Sequence, residues 1–110
     1  MANIYKNAFL DLTTTNTTIY TTPSDSRAII QNIQVANDLT NNINVDVFIH
    51  DSSASSNHEI AHDALDTKET INLAKGPVIL EENDYIFAKA GSNSSAHLTL
   101  AILEISRNDQ

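Results

Sequence analysis

Short apolar runs separated by turn-rich polar patches recur along this chain about every 8 to 12 residues, the spacing expected of a β-sandwich or barrel. The clearest run is 43–50. Ile43, Val45, Val47 and Ile49 alternate with Asn44, Asp46, Phe48 and His50, the period of a strand with one face on a core and the other toward water. Phe48 is the exception, a large aromatic on the polar side, which calls for cover from a neighbouring loop or for a partner contact. Residues 27–36 (Arg-Ala-Ile-Ile-Gln-Asn-Ile-Gln-Val-Ala) carry their inward set on Ala28 and Ile30, then on Ile33 and Val35. That even-to-odd slip predicts a bulge near Gln31 and Asn32, where one unpaired residue shifts the phase.

The remaining segments follow the same logic. Residues 4–12 form a first extended stretch, Thr13 to Asn16 a polar break, and Thr17-Thr18-Ile19-Tyr20-Thr21-Thr22 a strand that stops at the turn Pro23-Ser24-Asp25-Ser26. Turns are predicted at Asn37–Asn42, Asp51–Asn57, Lys75-Gly76-Pro77, Glu81–Asp84 and Gly91–Ser95. Between them lie extended runs at 69–74 (Ile71 and Leu73 on one face), 78–80, 85–90 and 96–106. The last has Leu98, Leu100 and Ile102 on one side with Leu103 and Ile105 on the other, which predicts a central strand near its end. Only the stretch around 58–68 is compatible with a helix. The expectation is an all-β, antiparallel, jelly-roll-like β-sandwich of about eight or nine strands. Residues 1–12 would be an N-terminal extended segment or arm, 13–107 the sandwich and 108–110 a tail.

Composition sharpens this. The chain has 110 residues, 41% hydrophobic and 18% charged, enough for one globular domain. Thr, Ser and Asn replace the Lys, Glu and Ala that helix surfaces favour. Six basic residues stand against fourteen acidic ones, a net charge of -8. Nucleic-acid affinity comes largely from Lys and Arg displacing counterions, and anionic membranes repel such a surface. Neither nucleic acid nor membrane is therefore expected as a partner. The charge keeps copies apart in solution or suits docking on a basic patch. There is no cysteine, hence no disulfide and no thiolate metal site. Residues 1–12 lack the apolar core of a signal peptide, and no run approaches a membrane span, so synthesis in the cytoplasm is expected.

One motif carries chemistry. His58-Glu59-Ile60-Ala61-His62 matches H-E-x-x-H, in which two histidines one helical turn apart hold zinc and the glutamate activates its water. A small zinc hydrolase is thus a remote alternative function. Against it, the compact extended form needs Gly at Leu65 and a third His at Lys68. Glu81, Glu82 and Glu104 remain as third ligands, all in or beside predicted strands. Read as a strand, the segment puts His58 and His62 on one face and turns Glu59 away from both. The two histidines would then be ordinary half-exposed polar residues, with adventitious metal binding as the milder functional reading. His50 and His97 stand alone, Glu81-Glu82-Asp84 reads as a solvated turn, and only two glycines are present, too few for a phosphate loop. No catalytic, cofactor-binding or metal-binding residue is assigned, and no enzyme is expected.

The order of segments resembles a family of small virion structural proteins of tailed bacteriophages. The likeness runs over about 12–106. It comprises Thr17 to Pro23, then Ala28-Ile29-Ile30 through Ile33-Gln34-Val35-Ala36-Asn37, and the alternating strand into Asp51-Ser52-Ser53-Ala54. Gly76-Pro77-Val78-Ile79-Leu80-Glu81, Asp84-Tyr85-Ile86-Phe87-Ala88-Lys89-Ala90 and the closing Leu103-Glu104-Ile105-Ser106 complete it. Asn83 stands where such proteins often have Gly before the Asp, and Asn also tolerates a left-handed turn. The resemblance implies a non-enzymatic structural protein with no catalytic residues or cofactor. Capsid decoration (cement) on the outer shell comes first, and a neck, tail or fibre-associated structural or host-binding module second. Implied partners are the major capsid protein or other virion proteins, with a homo-oligomer on the particle. Candidate anchors are Tyr5, Phe9 and Phe48; Tyr5 and Phe9 serve equally well to close the bottom of the core. A carbohydrate-binding sandwich is disfavoured by 5% aromatic residues and no Trp.

Overall fold

A computed structural model describes residues 2–37, 42–66, 68–74, 76–91 and 96–106. The turns expected at Asn37–Asn42, Lys75-Gly76-Pro77 and Gly91–Ser95 lie wholly or partly outside the described residues, as does the tail at 108–110. The described residues form nine strands and no helix: β1 Ala2–Asp11, β2 Thr17–Thr21, β3 Ser26–Asn37, β4 Ile43–Asp51, β5 Ser56–Leu65, β6 Thr70–Asn72, β7 Val78–Leu80, β8 Tyr85–Ala90 and β9 Ala96–Ser106. Two antiparallel sheets result, β1-β9-β3-β6 with β7 also on β3, and β2-β8-β4-β5. The chain alternates between the sheets at most connections, giving two four-strand orders in the manner of a jelly roll.

The slip predicted in 27–36 is a bulge. Ile30 pairs with Ile102 and Asn32 with Ala101, so Gln31 is the extra residue. The bulge keeps Ala28, Ile30, Ile33 and Val35 all in the core despite their change of phase. Facing them are Val45 and Val47 of β4 and Ile86 of β8, while Leu98, Leu100 and Ile102 of β9 line the same interior. Strand β9 lies between β1 and β3, the central place that its two apolar sides require. All of β1 pairs with β9, from Ala2 opposite Ser106 to Asp11 opposite His97.

The 58–68 stretch is not helical. Its first part is strand β5, the outer edge of the four-stranded sheet. Glu81–Asp84 differs from a solvated turn in one respect. Asp84 is buried and accepts the Ser52 and Glu81 amides at 2.9 and 3.0 Å, tying the β4–β5 turn to the β7–β8 turn. Asn83 takes the left-handed conformation there, at φ 68°, with its carbonyl accepting the Ser52 hydroxyl at 2.6 Å.

Candidate functional site

The two broad outer faces of the sandwich carry different chemistry. On the five-stranded sheet, register places Tyr5 of β1 beside Leu103 of β9, Leu103 beside Ile29 of β3, and Ile29 beside Ile79 of β7. Four strands thus contribute one continuous apolar row, and all four side chains point away from the core. Tyr5 is 74% exposed and Ile79 64%. Phe9, two pleats along β1 from Tyr5, is 71% exposed on the same side. Sequence reasoning named Tyr5 and Phe9 but missed Leu103, Ile29 and Ile79, whose alignment depends on strand order.

On the four-stranded sheet the outward row is aromatic. Phe48 of β4 stacks on Phe87 of β8, ring centroids 5.1 Å apart and planes 10° apart. His50 stacks on Tyr85 at 4.6 Å, and the Tyr85 and Phe87 rings lie 5.8 Å apart. The aromatic on the polar face of β4 is therefore covered by its cross-strand neighbour rather than by a loop, as aromatic pairs on a sheet surface prefer. His50 also shares a 2.7 Å hydrogen bond with Asn57, and His97 pairs with Asp11 at 2.6 Å, so neither histidine stands alone.

The H-E-x-x-H segment lies next to this row and is dismantled by a second bulge. Val47 pairs with Ala61, but Phe48 pairs with Glu59, so Ile60 is the extra residue. His62 therefore faces outward beside Asp46, and Glu59 faces outward too, beside Phe48. His58, opposite Ile49 on the other side of the strand, lines a cleft of about 430 Å³ together with Ile49 and Ile60. This corrects the expectation from simple alternation: the two histidines lie on opposite faces, and Glu59 accompanies His62. The paired helical histidines of a zinc hydrolase are not formed.

What forms instead is a group of Asp46, Glu59 and His62 whose donor atoms all lie within 4.8 Å of one another. His62 Nδ1 is hydrogen-bonded to Asp46 Oδ1. That bond, and the charge of Asp46, raise the His62 pKa above its ordinary 6.5. Partial burial opposes ionisation of Asp46, yet hydrogen bonds from His62 and Glu59 outweigh it and hold the carboxyl below 3.8. Glu59 is pushed the other way, above 4.5, first by its hydrogen bond to Asp46 and then by slight desolvation and the Asp46 charge. Lys89, opposite Asp46 on β8, is the neighbouring cation.

The fold is shared with solved structures. No protein-family model matches the chain, and no curated protein sequence matches it. It is similar to a chain of the capsid of Helicobacter pylori bacteriophage KHP30, at TM-score 0.58 and 14% identity, over 96% of this chain and 88% of that one. It is also similar to a chain of the Bacillus endospore appendages, disulfide-linked pili, at TM-score 0.57 and 8% identity, over 96% and 87%. A third similarity is to the Drosophila NLP core, at TM-score 0.50 and 16% identity, over 89% and 96%. Identities this low establish the shared sandwich, and a sandwich hosts many functions.

Proposed function

We propose that this chain is a non-enzymatic structural protein of a tailed-phage virion, a capsid decoration protein that lays its five-stranded sheet against the outer shell or a sibling subunit. The observation that carries this reading is the apolar row Tyr5–Leu103–Ile29–Ile79 across four strands of an acidic molecule. Contiguous outward apolar groups mark contact surfaces, whereas scattered ones do not. Burying such a row removes apolar area from water, toward the roughly 1,000 Å² in total that a stable contact needs. Phe9 extends the row along β1. A charge of -8 suits basic partner surfaces such as the major capsid protein or another virion protein can offer, and it favours ordering of copies on a particle over association in free solution. The resemblance to phage virion proteins and the fold shared with a phage capsid chain support this reading. Disulfide-linked polymerisation, as in the pilus neighbour, is closed to a sequence without cysteine.

The test is the copy number of this chain relative to the major capsid protein in purified virions, by quantitative mass spectrometry. Hundreds of copies per particle are expected. Absence from the particle would overturn the virion reading.

A second reading, a neck, tail or fibre-associated host-binding module, is favoured by the cluster of Phe48, Phe87, Tyr85 and His50 on the other outer face. In it Phe48 would contact the receptor. A few to tens of copies per virion would select this reading over decoration.

A further inference from the structure

The Asp46, Glu59 and His62 group answers to neither of these surfaces, and its chemistry is of a different kind. The three residues are not neighbours in sequence phase. Asp46 and His62 are cross-strand partners on β4 and β5, and Glu59 reaches their face only because Ile60 bulges out of register. The result is one imidazole nitrogen and two carboxylates converging on one point of an edge strand. We propose that Asp46, Glu59 and His62 bind one divalent transition cation of the zinc type.

The chemistry of the donors selects the cation. A nitrogen with two carboxylate oxygens is a mixed set that suits zinc and its neighbours, whereas calcium and magnesium prefer all-oxygen shells rich in carbonyls and water. Donors about 2.0–2.2 Å from a tetrahedral ion stand roughly 3.4 Å from one another, and the present group, all within 4.8 Å, reaches that spacing by rotation of surface side chains, His62 and Asp46 moving apart from their direct hydrogen bond. Glu59 and His62 are exposed, and Asp46 is half-buried beneath them, so the group has the freedom to close and a fixed base to close upon. The ion takes the place of the proton now held between His62 Nδ1 and Asp46 Oδ1. Three protein donors leave at least one position to water. Lys89, the one cation facing the group from β8 among the described residues, opposes binding without blocking the exposed side.

This assignment stands independently of the virion reading. It also inverts the motif. The sequence pattern offers His58 and His62 as the ligand pair, but the bulge keeps Glu59 with His62 and sends His58 to the other face.

The experiment is calorimetric titration of zinc into chelator-stripped protein at neutral pH, with His62→Ala, Glu59→Gln and His58→Ala variants whose folding is checked by thermal melts. We expect one zinc per chain in the parent protein. Loss of a direct ligand should weaken binding by at least the roughly tenfold that removal of a supporting outer-shell group costs. His62→Ala and Glu59→Gln should therefore fall by tenfold or more, with His58→Ala unchanged. Absorption of the cobalt-substituted protein gives a second readout, a visible ligand-field band that disappears in His62→Ala. Absence of zinc binding at millimolar metal overturns the proposal. So does binding lost in His58→Ala and retained in Glu59→Gln.

Discussion

The Tyr20 hydroxyl donates to the Glu104 carboxylate across 2.5 Å, joining β2 of one sheet to β9 of the other. Glu104 is buried and also receives Lys6 Nζ at 3.2 Å, so one inward acid gathers three strands. Burial, and then the hydrogen bond to Glu104, push the Tyr20 hydroxyl far above its ordinary pKa, so it remains a donor at any physiological pH. Tyr20→Phe removes a bond to a charged acceptor and should cost about 1.5–3 kcal/mol. Lys6→Met, which removes a more exposed ion pair, should cost less than about 1 kcal/mol. Paired urea denaturation curves distinguish the two.

The buried carboxylate of Asp84 holds two turns together through the Ser52 and Glu81 amides. Asp84→Ala leaves both donors without their acceptor and should destabilise by about 2–3 kcal/mol. At the neighbouring left-handed position, Asn83→Gly should be close to neutral. Asn83→Val should lose about 1–2 kcal/mol, because a β-branched side chain crowds the backbone in the left-handed region that Asn tolerates. Thermal melts of the three variants give the order Gly, Val, then Ala at 84.

Asp51 accepts the Ser53 hydroxyl at 2.8 Å and the Ser53 amide at 3.1 Å. These bonds, the hydroxyl first, hold its pKa below the ordinary 3.8. A lowered acid favours the folded state above the unfolded pKa, and that contribution fades as pH falls through the folded value. Ser53→Ala should therefore move the Asp51 titration midpoint up toward 3.8 and shift acid unfolding to higher pH. Carboxyl carbon shifts followed by NMR report the midpoint directly.

Ile79→Lys places a charge in the middle of the outward apolar row, at a side chain that is 64% exposed. Surface changes of this kind alter stability by only about 0.5 kcal/mol. The variant should melt with the parent protein yet fail to bind particles lacking their own copy, as judged by cosedimentation. Tyr5→Ser should weaken binding in the same assay. Unchanged binding in both would remove the five-stranded sheet as the contact face.

How much of this was legible in the sequence depended on whether burial marks the phase of a strand. In β3 the change from Ile30 to Ile33 wrote the bulge into the hydrophobic pattern, and in β4 strict alternation named the core face. Strand β5 carries no such marker. Asn57, His58, Glu59 and His62 are all exposed, and Ile60 and Ala61 are only partly covered. An edge strand with water on both sides leaves its register to pairing, and pairing is invisible in one sequence. The same limit hid the partner of Phe48. Phe87 lies in the apolar run Tyr85–Ala90, whose inward and outward members are decided only once β8 is known to lie between β2 and β4. Glu104 was obscured for a different reason, since an acid within a strand reads as outward until Tyr20 and Lys6 supply its company.

The dissimilarity of the two outer sheets makes the molecule a tile with a front and a back. Whichever broad face is laid down, the other must look out, because the two are separated by a single layer of core. Stacking through the apolar row would present an array of aromatic and histidine-acid surfaces, all pointing the same way and repeating at the spacing of whatever lattice lies beneath.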